Sequence, residues 1–416
     1  MEILRQLRTP RAKGSDAPAG VMLLINDLGP GGAERALVNL VNNVTRFRPV
    51  VAVLRPVLDL AADLNPDIEI VCVGPPGYPT LNGTPRMATG SAAEPRGRPR
   101  GRMLLELPGL VRTAHRLVSA ARATNCPVIS TFLNRAHTVA LTARMLFDRK
   151  LRVVINVHEM LSDHLDLHFA PSERWLMRKF ITHGFPRAER IVTVADAVTA
   201  DLVQKFGLTA DMISVAYNPV DMSRIKTAGS LSIDENECGA NTIVAVGRLV
   251  HLKGFDILIR AFALLPVSLD ARLIIVGEGV ERNELERLIA ELGLRNRVSL
   301  IGFRSNPWRY MARAKVLAVP SRTEAFPSVI GEAFVLSLPV VAANCSDGIS
   351  EYLDQGGCGV MVSPNDPNAL AVALERVLVD VELRERLVSA GRLRVQAFDM
   401  TSTVARYEEM LAGTAG

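Results

Sequence analysis

The first patterned segment is Val21-Met22-Leu23-Leu24-Ile25, a short apolar run followed by the turn sequence NDLGPGGAER and then by ALVNLVNNV. Apolar runs of this length read as strands buried on both faces, whereas apolar positions recurring three and four apart read as helix. The alternation continues through PVVAVLR, IEIVCVG, PVISTFL, RVVINVH and RIVTVA, with LVRTAHRLVSAARA and HTVALTARMLF as helices between them. Strand and helix in turn predict βαβ units and a parallel sheet. After ISVAYNPVD the apolar pattern lapses through SRIKTAGSLSIDENECGAN. It then restarts with TIVAVGR, a helix over 255–265, RLIIVGEG, helix NELERLIAELG, RVSLIGF, KVLAVPS, helix PSVIGEAFVLS, PVVAAN and GVMVSP. One helix is predicted across NALAVALERVLVDVELRERLVSAGRLRVQAF and a last across TSTVARYEEMLAG.

The predicted class is α/β, with two Rossmann-like domains facing a central cleft. The boundaries are a flexible N-terminus at 1–20, a first domain at 21–225 containing a flexible loop at 75–102, a second domain at 226–398, and a closing segment at 399–416. A chain of 416 residues suits two cores of about 200 residues each. Hydrophobic residues make up 48% and aromatic residues only 5%, which favours parallel strands under helices over an aromatic-rich sandwich.

Cys72, Cys126, Cys238, Cys345 and Cys358 lie far apart without a CxxC pair, so neither a zinc site nor a disulfide framework is expected. The N-terminal segment has no apolar core of the signal-peptide kind, and no run approaches the roughly 18–20 apolar residues of a membrane span. The expected location is the cytoplasm. Net charge is +5, with Arg96, Arg98, Arg100 and Arg102 at alternate positions in EPRGRPRGR. These arginines are read as a solvated loop or as an attraction for anionic lipid, together with Arg112, His115, Arg116 and Arg122 of a basic helix. That second reading adds peripheral contact at the inner face of the plasma membrane. Nucleic acid is not an expected partner, because no aromatic residue interleaves the arginines.

Candidate chemistry concentrates in two stretches of the second half. In the first, Ser321 to Ala333, a strand runs into a turn and then a helix, with Pro327 suited to the first helical position. The helix start at Pro327 offers the amide N–H groups of Ser328 and Val329 to a diphosphate. Glu324 in the turn and Glu332 on the second helical turn can accept hydrogen bonds from vicinal hydroxyls. The alternative is that Glu324 caps the helix and Glu332 makes a surface pair. In the second stretch, Val246 to Gly254, a strand ends at Gly247 and the following loop carries Arg248 and Lys253, two cations able to neutralise a diphosphate.

In the first half, Gly31 and Gly32 form a turn where backbone can approach a phosphate or an acceptor, or simply a tight connection. Glu34 stands where a dinucleotide fingerprint needs its third glycine. His158 ends a strand and on the same strand-end logic faces the cleft, and it is preferred to His137 and Glu159 as a polar candidate there.

Taken together, GGAER, YNPVD, VGRLVHLKGFDILIRAFALL, IIVGEGVERNELERLIAELGLRNRVSLIGF, EAFPSVIGE with its two glutamates, and CSDGISEYL resemble glycosyltransferase family 4 of the GT-B fold. The motifs span residues 20 to 412 in the family's order. The resemblance implies a retaining, metal-independent hexosyl- or N-acetylhexosaminyl-transferase acting on a nucleotide-sugar, with UDP the expected nucleotide. It implies that Arg248 and Lys253 bind the donor diphosphate, Glu332 the ribose and Glu324 the transferred sugar, with Gly247 and Phe326 lining the donor site. It further implies a glycan or lipid-linked acceptor in surface polysaccharide assembly, no cofactor, and a final helix that returns to the first domain. Two positions depart from the family pattern: Ala325 stands where glycine is usual, and Gly348-Ile349 where Gly-Pro is frequent. The rival readings are a nucleotide-sugar epimerase and a non-catalytic sugar-nucleotide-binding protein.

If departing diphosphate is stabilised by these cations, Lys253→Ala lowers kcat on the order of 10²- to 10³-fold while the circular dichroism spectrum is unchanged. Near-normal kcat would remove Lys253 from the chemistry.

Overall fold

In the computed structural model, which describes residues 20–29, 31–74, 107–232 and 238–413, the first apolar run folds as β1 (Gly20–Ile25), every residue of it buried. The chain divides into two units: the described residues up to Pro219 together with Met400–Gly413, and Val220–Asp399. The expectations for the N-terminal segment and for the loop carrying Arg96 to Arg102 fall outside the described residues.

The first unit contains β1, β2 (Arg48–Val53), β3 (Glu69–Cys72), β4 (Val128–Phe132), β5 (Arg152–Val157), β6 (Arg190–Thr193) and β7 (Ile213–Val215), in the order β3-β2-β1-β4-β5-β6-β7. Each neighbouring pair is parallel, and β1 is laddered by β2 on one side and β4 on the other. The second unit contains β8 (Asn241–Val246), β9 (Ala271–Val276), β10 (Val298–Leu300), β11 (Val316–Val319), β12 (Val340–Ala343) and β13 (Val360–Val362). Their order, β10-β9-β8-β11-β12-β13, is again parallel throughout. Chain direction around each sheet reverses at one place, between β1 and β4 in the first and between β8 and β11 in the second. Loops leaving the carboxyl ends of strands at such a reversal diverge and leave room for a ligand.

Three local expectations are corrected. The segment after YNPVD is not structureless at its start: Asp221 accepts the Arg224 N–H at 2.9 Å and begins the helix Met222–Gly229. An aspartate at the N-cap satisfies a donor that the helix start leaves open, which an apolar-periodicity reading does not register. The long helix predicted across residues 368–398 is instead Pro367–Val379 and Val381–Arg394. Asp380 ends the first in extended backbone and caps the second through the Leu383 N–H at 2.9 Å. The helix expected to open at His137 runs from Asn134 to Leu146, preceded by Leu133 at φ 71°, an uncommon conformation for a bulky residue.

The helix Met400–Gly413 covers the sheet of the first unit. Val404, Tyr407 and Leu411 join the core formed by Leu37, Leu40, Val41 and the strands. Its polar groups are bound as well: the Tyr407 hydroxyl pairs with Ser130 Oγ, which accepts from Asn156 Nδ2 at 2.7 Å. The carboxylate of Glu408, a residue only 3% exposed, accepts the backbone N–H groups of Thr45 at 2.5 Å and Arg46 at 2.7 Å. Among the described residues no helix is long and apolar enough to cross a membrane.

With both backbone hydrogen bonds to Oε1 lost at once, Glu408→Ala is expected to cost about 1–2 kcal/mol, read as a lower urea midpoint. Glu408→Gln, which keeps one acceptor oxygen, loses less.

Candidate functional site

In the second unit the two stretches singled out in the sequence leave β8 and β11, which are hydrogen-bonded neighbours at the reversal of strand order. Their loops are packed backbone to backbone. Gly254 has φ 64°, and a Cβ there would stand 2.1 Å from the Pro320 carbonyl oxygen, so only glycine closes this contact. Arg322 locks the pair from the other loop. Its N–H donates to Leu252 O at 2.8 Å, and its guanidinium donates to His251 O at 2.7 Å and to both Asp256 oxygens at 2.8 and 2.7 Å. Burial opposes charge on Asp256, but the hydrogen bonds and charge of Arg322 outweigh it and hold the carboxyl below its usual range.

The consequence is that Lys253 and Glu324 meet. Lys253 Nζ lies 2.5 Å from Glu324 Oε1, and Ser321 Oγ donates to the same oxygen at 2.8 Å. The side chains of Lys253 and Glu324 are 27% and 12% exposed, so the pair is partly withdrawn from water without being sealed. Ser346, following β12, donates to the Glu324 carbonyl at 2.6 Å and fixes the turn. Arg248 is exposed directly after Gly247.

Beyond the turn, the helix is Ser328–Val335, with Pro327 at its cap in extended backbone rather than at the first helical position. Helical hydrogen bonding begins one residue later than the proline's preference suggests. No side chain caps this start, so the amides of Ser328 and Val329 stand as donors at the positive end of the helix. Glu332 is on the second turn, where its Oε2 accepts the Trp308 indole N–H at 2.9 Å. Phe326, expected to line the donor site, is 5% exposed, and its ring stacks on Tyr352 at 3.8 Å and meets Phe398 edge-on. That ring belongs to the aromatic core behind the turn.

The departures from the family pattern are accommodated. Ala325 is absent from the residues with positive φ, so its methyl meets no conformational penalty. Gly348 is the tight position instead, since a Cβ there would lie 1.7 Å from the Ala325 carbonyl oxygen. Ile349 uses an N–H that proline would lack, donating to Ser346 O at 3.1 Å.

In the first unit Gly31 is the extended cap of the helix Gly32–Asn43, which also has no side-chain cap. A Cβ at Gly31 would meet Glu34 Oε2 at 2.0 Å, so glycine makes room for the Glu34 carboxylate rather than for a left-handed turn. His158 follows β5 beside a small cavity lined also by Phe132, Asn156, Tyr217, Asn218 and Tyr407. Its Nδ1 is buried and has no hydrogen-bond partner, and burial pushes the imidazole pKa down to about 4, against the opposing charge of Glu159. His137 is 1% exposed and its Nδ1 is bound to Thr131 Oγ1 at 2.8 Å, which makes it part of the core. Glu159 is engaged by Asn134 Nδ2 at 2.6 Å and by His164 Nδ1 at 2.9 Å. The structure thus brings together Lys253 and Glu324, and separately places Glu332 with Trp308. Trp308, Arg322, Ser346 and Asp256 were not singled out in the sequence, and each acts across a gap that no local pattern marks; Ser321 was also missed, although its partner Glu324 is only three residues away.

Both halves of the chain match family models: residues 30–224 match glycosyltransferase family 4 and residues 233–394 match glycosyl transferases group 1. One relative is the N-acetylgalactosamine-N,N'-diacetylbacillosaminyl-diphospho-undecaprenol 4-alpha-N-acetylgalactosaminyltransferase of Campylobacter jejuni. It is 34% identical over 269 residues, covering 64% of this chain and 71% of that one. A second Campylobacter jejuni enzyme, named as the alpha-1,4-N-acetyl-D-galactosaminyltransferase acting on GalNAc-alpha-(1->4)-GalNAc-alpha-(1->3)-diNAcBac-PP-undecaprenol, is 22% identical across 94% of this chain and 98% of its own. Among solved structures, that of Anabaena Alr3699/HepE with UDP and glucose superposes with a TM-score of 0.76 at 23% identity, covering 95% of this chain and 100% of that one. With two doubly built parallel sheets and both sets of motifs in place, the chain belongs to glycosyltransferase family 4 of the GT-B fold.

Proposed function

We propose that this glycosyltransferase moves a sugar from a UDP-sugar to a lipid-linked glycan, with retention of configuration and without a metal, in surface polysaccharide or glycoconjugate assembly. The observation that carries this reading is the convergence of Lys253 and Ser321 on Glu324 in the loops after β8 and β11. The names of the Campylobacter relatives support a lipid-linked acceptor and an N-acetylhexosaminyl donor, and UDP in the Anabaena structure supports the nucleotide.

In this reading Arg248, Lys253 and the amides of Ser328 and Val329 receive the diphosphate, beside the backbone of Gly247. Glu332 accepts from the ribose hydroxyls, and Glu324 from hydroxyls of the transferred sugar. Glu324 also holds Lys253 in place before donor arrives, so the cation pays little reorganisation when phosphate charge develops. As the bond from the anomeric carbon to the β-phosphate oxygen breaks, the acceptor hydroxyl forms its bond on the same face and passes its proton to the departing phosphate oxygen. Positioning and charge are the protein's contributions. His158, neutral at pH 7 by virtue of its burial, would serve as a hydrogen-bonding rather than a charged group on the acceptor side. The glycines at 31 and 32 let backbone approach that side, and the basic first-unit helix with Arg112 and Arg122 would favour peripheral contact with anionic lipid at the cytoplasmic face.

A thermal-shift screen against UDP-, GDP-, ADP- and CMP-sugars is expected to raise the melting temperature with UDP-sugars alone. Free UDP is then expected only when a polyprenyl-diphosphate glycan is added. Nucleotide release that does not depend on acceptor, or an isomerised donor as product, contradicts transfer.

A further inference from the structure

Glu332 is held by a buried partner, Trp308. Trp308 is 8% exposed on the short helix Trp308–Met311, and its Nε1–H donates to Glu332 Oε2 at 2.9 Å. This helix and Ser328–Val335, which carries Glu332, both pack on Met222–Gly229, the helix started by Asp221. Arg224, on the first turn of that helix, brings its guanidinium carbon to 5.8 Å from the Trp308 ring centroid. The indole is therefore fixed on two sides before it meets the carboxylate.

A buried indole needs an acceptor for its single N–H, and any backbone carbonyl would satisfy it. Here the acceptor is a carboxylate, which makes the bond charge-assisted and directional. Glutamate has three side-chain torsions, and a bond from a rigid donor removes much of the freedom that ligand binding would otherwise have to remove.

We propose that Trp308 is a positioning residue for nucleotide recognition: its N–H sets the Glu332 carboxylate in the orientation that accepts the ribose hydroxyls of the donor. This rests on the reading of Glu332 as the ribose ligand. Since Trp308 acts through Glu332 on a part of the donor remote from the reacting carbon, its effect falls on donor binding and hardly on the chemical step. A Trp308 that merely fills space between helices would change stability without changing which ribose is preferred.

The test is calorimetric titration of UDP and 2′-deoxy-UDP into the wild type, Glu332→Ala, Trp308→Phe and Trp308→3-benzothienylalanine. The last replaces the N–H by sulfur at nearly constant volume and answers the question if the phenylalanine variant does not fold. The wild type is expected to prefer UDP by about tenfold, the worth of one well-made hydrogen bond, and Glu332→Ala to show no preference. Both Trp308 variants are expected to lose most of the preference and to raise the donor KM roughly five- to tenfold with kcat within about twofold. Full preference in the Trp308 variants, with none in Glu332→Ala, overturns the role given to Trp308. Preference retained in Glu332→Ala, or absent from the wild type, overturns the ribose reading itself.

Discussion

The second unit depends on the contact in which Gly254 meets the Pro320 carbonyl, because it fixes how the loops after β8 and β11 share the space beyond two adjacent strand ends. Parallel strands end on the same side of a sheet, but their loops normally run apart at a reversal of strand order. Here the left-handed glycine and the Arg322 fork draw them back together. The Lys253–Glu324 pair is the outcome, and it is stable only because two backbones are held first. An ion pair with this much exposure adds little to folding on its own. Its value is in orientation, since it presents a cation and a carboxylate at fixed positions beside an uncapped helix start.

Legibility in the sequence followed the range of the interaction. Strands such as Val21–Ile25 and Thr242–Val246 announce themselves because burial on both faces demands an unbroken apolar run. Glu324, Glu332, Arg248 and Lys253 could be named as candidates, being attached to strand ends and to a helix start within a few residues. Trp308 and Arg322 could not be, because their partners lie 24 and 66 residues away and nothing local distinguishes an indole that bonds a carboxylate from one that only fills a core. Phe326 shows the converse error. Lying between two candidate residues in sequence, it turns its ring to the opposite side, against Tyr352. Asp380 illustrates a third limit: apolar periodicity continues across it, and only its capping bond reveals two helices.

The first unit is built on the same plan with a different emphasis. Its polar groups are mostly bound to one another: Asn156 to Ser130, His137 to Thr131, and Glu159 to Asn134 and His164. The buried Nδ1 of His158 has no such partner, and in this unit Asn26 Oδ1 and Arg190 Nε share that state. A buried donor or acceptor without a protein partner costs free energy unless water or a ligand completes it.

The cover that Met400–Gly413 lays over the first sheet bears on how the protein is made. On the ribosome, β1 to β7 emerge before any residue of Val220–Asp399, yet the apolar side chains that close their core arrive only after that whole unit has been synthesised. Until then Leu37, Leu40 and Val41 wait without Val404, Tyr407 and Leu411. The nascent first unit therefore carries an open hydrophobic seam for the time taken to translate the second, surface of the kind that favours aggregation while it stays uncovered.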